Sequence, residues 1–156
     1  MTQLNSKLEL KNTQKTVLIL GYGNPIRGDD GIGQAVATQV ETWNLPNVRS
    51  LALHRLTPEL ADTLSQVDLA IFVDASLEAE TIKVSALEPV NSTELKWGHY
   101  LDPKSLLSVA ERLYGKQPKA WLIAVPGINF ELCDRLSPEA EKGVITALQT
   151  IQNLLS

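Results

Sequence analysis

The sequence has 156 residues, with 14 lysines and arginines against 18 aspartates and glutamates, and a formal net charge of −4. This length predicts one domain whose core is large enough to need neither disulfides nor a structural metal. Basic residues are scattered singly and no apolar run reaches the roughly 20 residues of a membrane span, which argues against a nucleic-acid-binding protein and a membrane protein.

The beginning of the chain predicts a strand followed by a helix. Residues 1–15 are polar and of mixed charge, and are interpreted as a flexible tail before a single domain of residues 16–156. Residues 16–20 form an apolar run that ends at a glycine, which is typical of a buried strand. Asp29 or Asp30 is a candidate N-cap for the next helix, whose apolar residues recur at helical spacing: Ile32, Val36, Val40 and Trp43.

The middle of the chain predicts three strands and one helix. Residues 48–53 form the second strand, and residues 67–73 form a third that closes on Asp74. Between them, the Thr57-Pro58-Glu59 segment offers a cap, a first-turn proline and a first-turn acid for a helix that ends near residue 66. Apolar and polar residues alternate over residues 82–87, which indicates an edge or antiparallel strand.

Two further capping patterns occur near the end of the chain. Asp102-Pro103 and Ser137-Pro138 each predict the start of a helix, and residues 119–125 predict a strand between the two. The order of elements predicts an α/β fold, a three-layer α/β/α sandwich with a mixed sheet. The first of these two helices is expected to place its apolar residues on one side: Leu106, Leu107, Ala110 and Leu113.

Chemically versatile side chains follow several of these strands. In α/β sheets, sites gather beyond the carboxyl ends of the strands. Two carboxylates and an imidazole there would form an open site for a divalent transition metal, which can polarise a carbonyl and lower the pKa of bound water. Such a site would serve peptide hydrolysis. The candidates are Asn24, Asp29 and Asp30 after the first strand, His54 after the second, Asp74 after the third, and His99 before a capped helix.

The residues that follow the first strand carry a resemblance. The block Gly21-x-Gly23-Asn24-x-x-x-x-Asp29-Asp30-Gly31-x-Gly33, then Asp74 after an apolar strand, then His99 before a helix, resembles the hydrogenase maturation protease family. The resemblance implies a twisted, mostly parallel mixed sheet of about five strands. It also implies a cytoplasmic endopeptidase that removes a C-terminal extension from the large-subunit precursor of a nickel-iron hydrogenase after nickel insertion.

Matched by motif, the metal-binding positions of the family fall on Asp30, Asp74 and His99. The resemblance implies that the substrate supplies the nickel, that no organic cofactor takes part, and that the protein acts as a monomer without nucleic acid or membrane. Many members have glutamate where Asp30 stands, and the shorter side chain places the metal about 1.5 Å closer to the backbone. The residues 54–60, His-Arg-Leu-Thr-Pro-Glu-Leu, resemble the variant in proteases that serve NAD-coupled bidirectional hydrogenases.

Other roles are open for the remaining candidates. Asp29 is interpreted as a cap or support, and Asn24 as a residue that shapes the loop through backbone hydrogen bonds. His54 is interpreted as a substrate contact or a solvated residue. The lone Cys133 fits a reducing, cytoplasmic setting, and its surroundings in sequence do not mark an activated thiol. Whether the metal activates water, or Asp30 or Asp74 acts as a general base, stays open.

Two alternative functions compete with peptide hydrolysis. The first is a dinucleotide-binding domain that uses the Gly21-x-Gly23 loop. Its third glycine falls at Gly28 or later, and paired acids at the helix start oppose a pyrophosphate. The second is a non-catalytic module that inspects the nickel-loaded precursor without shortening it.

Overall fold

A five-stranded sheet lies at the centre of the computed structural model, which describes residues 15–88 and 101–156. The strands lie in the order β2-β1-β3-β5-β4. β4 runs antiparallel to β5, and the other neighbouring pairs are parallel. The prediction of a mostly parallel, mixed sheet of five strands is therefore confirmed. The bounds are β1 (Val17–Tyr22), β2 (Val48–Leu53), β3 (Leu69–Ser76), β4 (Lys83–Leu87) and β5 (Lys119–Pro126).

Four helices in the described part of the chain cover both faces of this sheet. α1 (Ile32–Glu41) and α4 (Pro138–Leu155) pack together on one face, and α2 (Leu60–Leu64) and α3 (Pro103–Tyr114) pack together on the other. The result is the predicted three-layer α/β/α sandwich. None of these helices combines the length and apolar character needed to cross a lipid bilayer.

The central strands read as unbroken apolar runs because both of their faces are covered. Since side chains alternate along a strand, Val17 and Ile19 of β1 join the core beneath α1 and α4, while Leu18 and Leu20 join the core beneath α2 and α3. All four are buried. β4 is an antiparallel edge strand, as predicted, but residues 83–86 are all exposed, so its burial does not alternate.

The capping predictions for the two later helices are confirmed. Asp102 Oδ1 accepts a hydrogen bond from Ser105 N at 2.7 Å, and Ser137 Oγ accepts one from Ala140 N at 3.1 Å. In each helix a proline occupies the first turn, where its missing N–H removes no helical hydrogen bond.

The capping predictions for the two earlier helices are wrong. Asp29 and Asp30 lie in a 3-10 turn, Gly28–Gly31, and α1 begins after it at Ile32 without a side-chain cap. The Thr57-Pro58-Glu59 segment forms a separate turn, in which Leu60 N and Ala61 N donate to Thr57 O and Pro58 O, so α2 begins only at Leu60. In both places a tight turn satisfies backbone groups that a longer helix would have used.

Several predicted boundaries also move. β3 continues through Ser76, because Asp74 and the next two residues still pair with β5, so Asp74 lies within the strand instead of after it. α1 ends at Glu41, and Trp43 follows it while still packing against the core. Leu113 is exposed near the end of α3, although its spacing predicts burial.

The start of α1 lies directly against the sheet. A Cβ on Gly33 would lie 2.5 Å from Tyr22 O and 2.6 Å from Val73 O, and a Cβ on Gly21 would overlap Gly33 O. These neighbours are backbone atoms that cannot rotate away. Glycine at both positions therefore sets how closely the turn before α1 approaches the ends of β1 and β3.

The substitution Gly33→Ala is expected to destabilise the fold by about 1–3 kcal/mol or more, because the added methyl group forces the helix away from two strands. Urea denaturation measures the free energy of unfolding. Thr38→Ala, on the exposed side of the same helix, is the control and should change stability by no more than about 0.5 kcal/mol. Equal stabilities of the two variants would contradict the close packing.

Candidate functional site

A cavity of about 540 Å³ opens at the edge of the sheet where the parallel strands end. β1, β2 and β3 all contribute to it, directly or through the loops that follow them. The neighbouring carboxyl ends of parallel strands thus bring distant parts of the chain together. The polar and apolar side chains in its wall include Asn24, Arg27, Asp30, His54, Asp74 and Leu101.

The loop after β1 directs the Asp30 carboxylate into this cavity. Asp30 Oδ2 accepts a hydrogen bond from Asn24 N at 2.6 Å, and Asn24 Oδ1 accepts one from Ile26 N at 3.1 Å. Gly23 has φ of 141°, and a Cβ there would overlap Asp30 O. The chain can therefore fold back on itself only with glycine at this position.

A side-chain amide fixes the same loop to β2. Gln34 Nε2 donates to Gly23 O at 3.0 Å and to Leu53 O at 2.9 Å. The first turn of α1 thereby joins the ends of β1 and β2. The wall of the cavity that holds Asp30 is consequently anchored on two sides.

Asp74 faces the same cavity from β3, and its surroundings disfavour the charged form. Burial, followed by the negative charge of Asp30, raises the pKa of the Asp74 carboxyl to about 6. Hydrogen bonds from the Tyr22 hydroxyl and from Ala75 N partly oppose this rise. Burial and the Asp74 charge in turn raise the pKa of Tyr22, so its hydroxyl remains a donor. The two carboxylates are close enough to repel each other.

Asp29 has a different environment from its neighbour. It is fully buried, and it accepts hydrogen bonds from Ser137 N and Ser137 Oγ at 2.8 Å, Ile128 N at 2.8 Å and Asn129 N at 3.1 Å. Burial alone would raise the pKa of this carboxyl, but the hydrogen bonds from Ser137, Ile128 and Asn129 together hold it below its usual value. Asp29 thus fastens residues 127–137 to the loop after β1.

The two histidines differ in what the structure describes. His54 follows β2, is exposed and lines the cavity. His99 lies outside the described residues, so its predicted role stays a prediction. Leu101, the first residue described after that gap, lines the cavity. Within residues 15–88 and 101–156, no three His, Cys, Asp or Glu residues form a group that could hold a metal ion.

The sequence interpretation missed Tyr22, Arg27 and Arg55, all of which line the cavity. A signal for Tyr22 was present. Gly21 pairs with Val73, so the residues that follow them on two parallel strands, Tyr22 and Asp74, reach the same level of the sheet. For Arg27, the signal is its place three residues before Asp30 in the same turn.

Two competing interpretations find little support in this geometry. Cys133 is half-buried and does not line the cavity. Its backbone pairs with that of Arg27 as a single parallel β-bridge. The Gly21-x-Gly23 loop leads to a cavity with two carboxylates, Asp30 and Asp74, where a dinucleotide would need to place its pyrophosphate.

Comparison with known proteins finds similarity to hydrogenase maturation proteases over most of the chain. No family model matches it. A protein of Methanocaldococcus jannaschii that is assigned to the hydrogenase maturation proteases is 27% identical over 147 residues, covering 88% of this chain and 95% of that protein. The crystal structure of a hydrogenase 2 maturation peptidase from a Thaumarchaeota archaeon is 26% identical with a TM-score of 0.68, covering 90% of this chain and 98% of that one. The [NiFe] hydrogenase maturation protease HycI of Thermococcus kodakarensis KOD1 has a TM-score of 0.72 at 22% identity, covering 94% and 98%.

Over most of its length, this chain is similar to hydrogenase maturation proteases. The family resemblance and the enzyme class predicted from sequence, a hydrolase that acts on peptide bonds, are both confirmed. The maturation-protease motif therefore has two parts with different tasks. Asp30 faces the cavity, whereas Asp29 holds together the loops of the protease around it.

The substitution Asp29→Ala is expected to lower the free energy of unfolding by about 3 kcal/mol or more, because it leaves several buried donors without an acceptor. Urea denaturation is the measurement. Glu131→Ala, an exposed acid in the segment that Asp29 holds, is the matched control and should stay within about 0.5 kcal/mol of the parent. A loss no larger than that of the control would contradict the role of Asp29.

The raised pKa of Asp74 predicts a pH-dependent stability. The folded protein binds the proton of the Asp74 carboxyl more tightly than the unfolded chain does. This protonation stabilises the fold fully below about pH 4, and the stabilisation is lost as pH rises through about 6. In chelator-treated buffer, the free energy of unfolding of Asp74→Asn should therefore rise by up to about 3 kcal/mol relative to that of the parent across that pH range. Ser76→Ala, a non-titrating change in the same strand, should shift stability equally at every pH. A pH-independent difference for Asp74→Asn would contradict the shift.

Proposed function

We propose that this protein is the endopeptidase that removes the C-terminal extension from a nickel-iron hydrogenase large-subunit precursor after nickel has been inserted. The family supports a hydrogenase precursor as the kind of partner. The observation that carries the proposal is that Asp30 and Asp74, which come from separate elements, line one open cavity at the sheet edge.

The donor set fits a divalent transition metal held by the precursor. Carboxylate oxygens and an imidazole nitrogen are ligands that such ions accept, and an open position remains for a group of the substrate. Asp30 and Asp74 supply the oxygens in this proposal, and His99 supplies the nitrogen. Leu101, which follows His99 closely in the sequence, lines this cavity. In this proposal, nickel belongs to the substrate.

Electrostatics support recognition of an incoming cation. The two carboxylates repel each other across the cavity. A divalent ion on the precursor would attract both of them and offset this repulsion. A precursor without nickel would instead bring no charge to offset it. This arrangement supports the proposal that cleavage depends on metal loading.

Two routes to hydrolysis use the same residues. In one, the metal in the precursor polarises the scissile carbonyl or activates water, and the carboxylates hold the ion. In the other, Asp30 or Asp74 removes the proton from the attacking water and the metal serves recognition. In both, the Tyr22 hydroxyl orients Asp74 through its hydrogen bond, and Asn24 N orients Asp30.

The segment after β2 is the place where the choice of precursor would be made. His54, Arg55 and Leu56 line the cavity beside the proposed metal-binding residues. We assign to this segment the preference for the NAD-coupled bidirectional type of hydrogenase. Processing of a precursor of that type, in preference to others in a panel, is the outcome that this assignment requires.

The experiment compares nickel-loaded and nickel-free precursor, with intact mass as the readout. The parent protein should shorten only the loaded precursor. Asp30→Asn and Asp74→Asn should each slow the cleavage by about 100-fold or more, because each removes a charge that meets the metal or the water. Asp62→Asn, an exposed acid on α2, is the matched control and should cleave at the parent rate.

The outcomes separate the alternatives. Cleavage of nickel-free precursor at the full rate would contradict the metal checkpoint. Normal processing by Asp74→Asn would refute the site. Tight binding of loaded precursor without any loss of mass would indicate a non-catalytic inspection module, and saturable binding of NAD(H) would favour the dinucleotide alternative.

A further inference from the structure

Three large apolar side chains are exposed on the loops beside the cavity. Ile26 is 55% exposed, Ile128 is 63% exposed and Leu132 is 84% exposed. We call these three residues the rim patch. Leu77, which directly follows β3, is also exposed. Ser76 O accepts a hydrogen bond from Gly127 N, so the end of β3 is joined to the segment that carries Ile128.

Backbone hydrogen bonds hold the two loops of the rim patch together. Cys133 N donates to Ile26 O at 2.9 Å, Gly28 N donates to Cys133 O at 2.8 Å, and Asp29 N donates to Asn129 O at 2.7 Å. We call these hydrogen bonds the ladder. Ile26 takes part in the ladder, and Ile128 and Leu132 directly precede two residues that do, Asn129 and Cys133.

The buried Asp29 carboxylate reinforces that ladder from beneath. It accepts a hydrogen bond from Ile128 N, which belongs to the rim patch itself, and from Asn129 N. A charged group inside the protein thus fixes a segment whose apolar side chains face solvent. Preorganised apolar groups lose little conformational freedom when a partner covers them, which favours a binding surface.

The rim patch is continuous with the cavity. Arg27 stands between Ile26 and Gly28 in sequence, lines the cavity, and donates from Nε to Phe130 O at 3.4 Å. The backbone of Arg27 also forms the bridge with Cys133. A polypeptide that enters the cavity over Arg27 would bring the body of its own protein against the rim patch.

We propose that the rim patch is a docking surface for the folded body of the hydrogenase large-subunit precursor, which covers it with an apolar surface next to its C-terminal segment. This inference rests on the proposed function. It adds a second recognition element, separate from the metal, that reads the folded precursor while its tail lies in the cavity. A few residues usually carry most of the binding energy of an interface, so a patch of three side chains can contribute measurably.

The test measures the dissociation constant of purified nickel-loaded precursor by biolayer interferometry. All proteins compared carry Asp74→Asn, which slows cleavage and removes one proposed metal contact equally from each, so differences between them report the rim patch. The rim variant combines Ile128→Ser and Leu132→Ser; Ile26 is left unchanged because it lies inside the turn that positions Asp30. The control variant combines Leu113→Ser and Ile145→Ser, two residues on α3 and α4 with similar exposures of 63% and 59%.

The rim variant should bind the precursor at least about tenfold more weakly, whereas the control variant should bind like the parent. Urea midpoints that match the parent show that both remain folded. Leu132→Ser alone, the most exposed position, should weaken binding about threefold, and the conservative pair Ile128→Leu and Leu132→Ile should restore it.

Equal dissociation constants for the rim and control variants would overturn the inference, as would absence of binding by the parent. A dimer of the parent that the rim variant dissociates would assign the patch to a second copy of this chain, and would overturn it too. Failure of the proposed function has a different signature, since wild-type protein would then leave the bound precursor at full mass.

Discussion

The hydrogen-bonded carboxylate of Asp29 is the interaction on which the arrangement of the cavity depends. It joins the loop after β1 to residues 127–137 and to Ser137, whose hydroxyl also caps α4. The loop after β1 and the segment that leads into α4 therefore meet at one buried charge. Because a carboxylate accepts several hydrogen bonds at once, a single side chain can satisfy donors from several residues of that segment.

The side chain of Asp30, the next residue, faces the cavity instead of the protein interior because of the geometry of the 3-10 turn. With about three residues per turn, consecutive side chains point roughly a third of a turn apart, so one acid can face inward while its neighbour faces the cavity. Asp30 and Asp74 both line the cavity, and the negative charge of Asp30 is, after burial, the second cause of the raised pKa of Asp74. Hydrogen-bond donors stabilise the negative charge of Asp29, whereas burial and the charge of Asp30 disfavour the charged form of Asp74.

Most of the sheet could be predicted from the sequence because buried parallel strands produce unbroken apolar runs, as in β1 and β3, and because Asp102 and Ser137 cap their helices in the usual way. The turn of Asp29 and Asp30 could not be predicted as such. An acid before an amphipathic segment reads as an N-cap, and only the donors of residues 128, 129 and 137 reveal that Asp29 faces a distant loop.

The candidate site was likewise predictable in part. Asp30 and Asp74 could be located because strand ends converge at one sheet edge, whereas the contribution of Tyr22 depends on the register between β1 and β3. Arg27 and Arg55 required knowledge of how the loops fold over the cavity. Local patterns therefore located the site, and long-range pairing determined its lining.

The single-residue offset between the two acids constrains how this motif can vary. A residue inserted between Gly28 and Asp29 would rotate both acids by about a third of a turn and move Asp29 towards the position that Asp30 occupies. Both acids would still be present, yet neither would meet its partners. The length of this segment is therefore under stricter control than its composition, and an alignment that opens a gap there would equate residues with opposite environments.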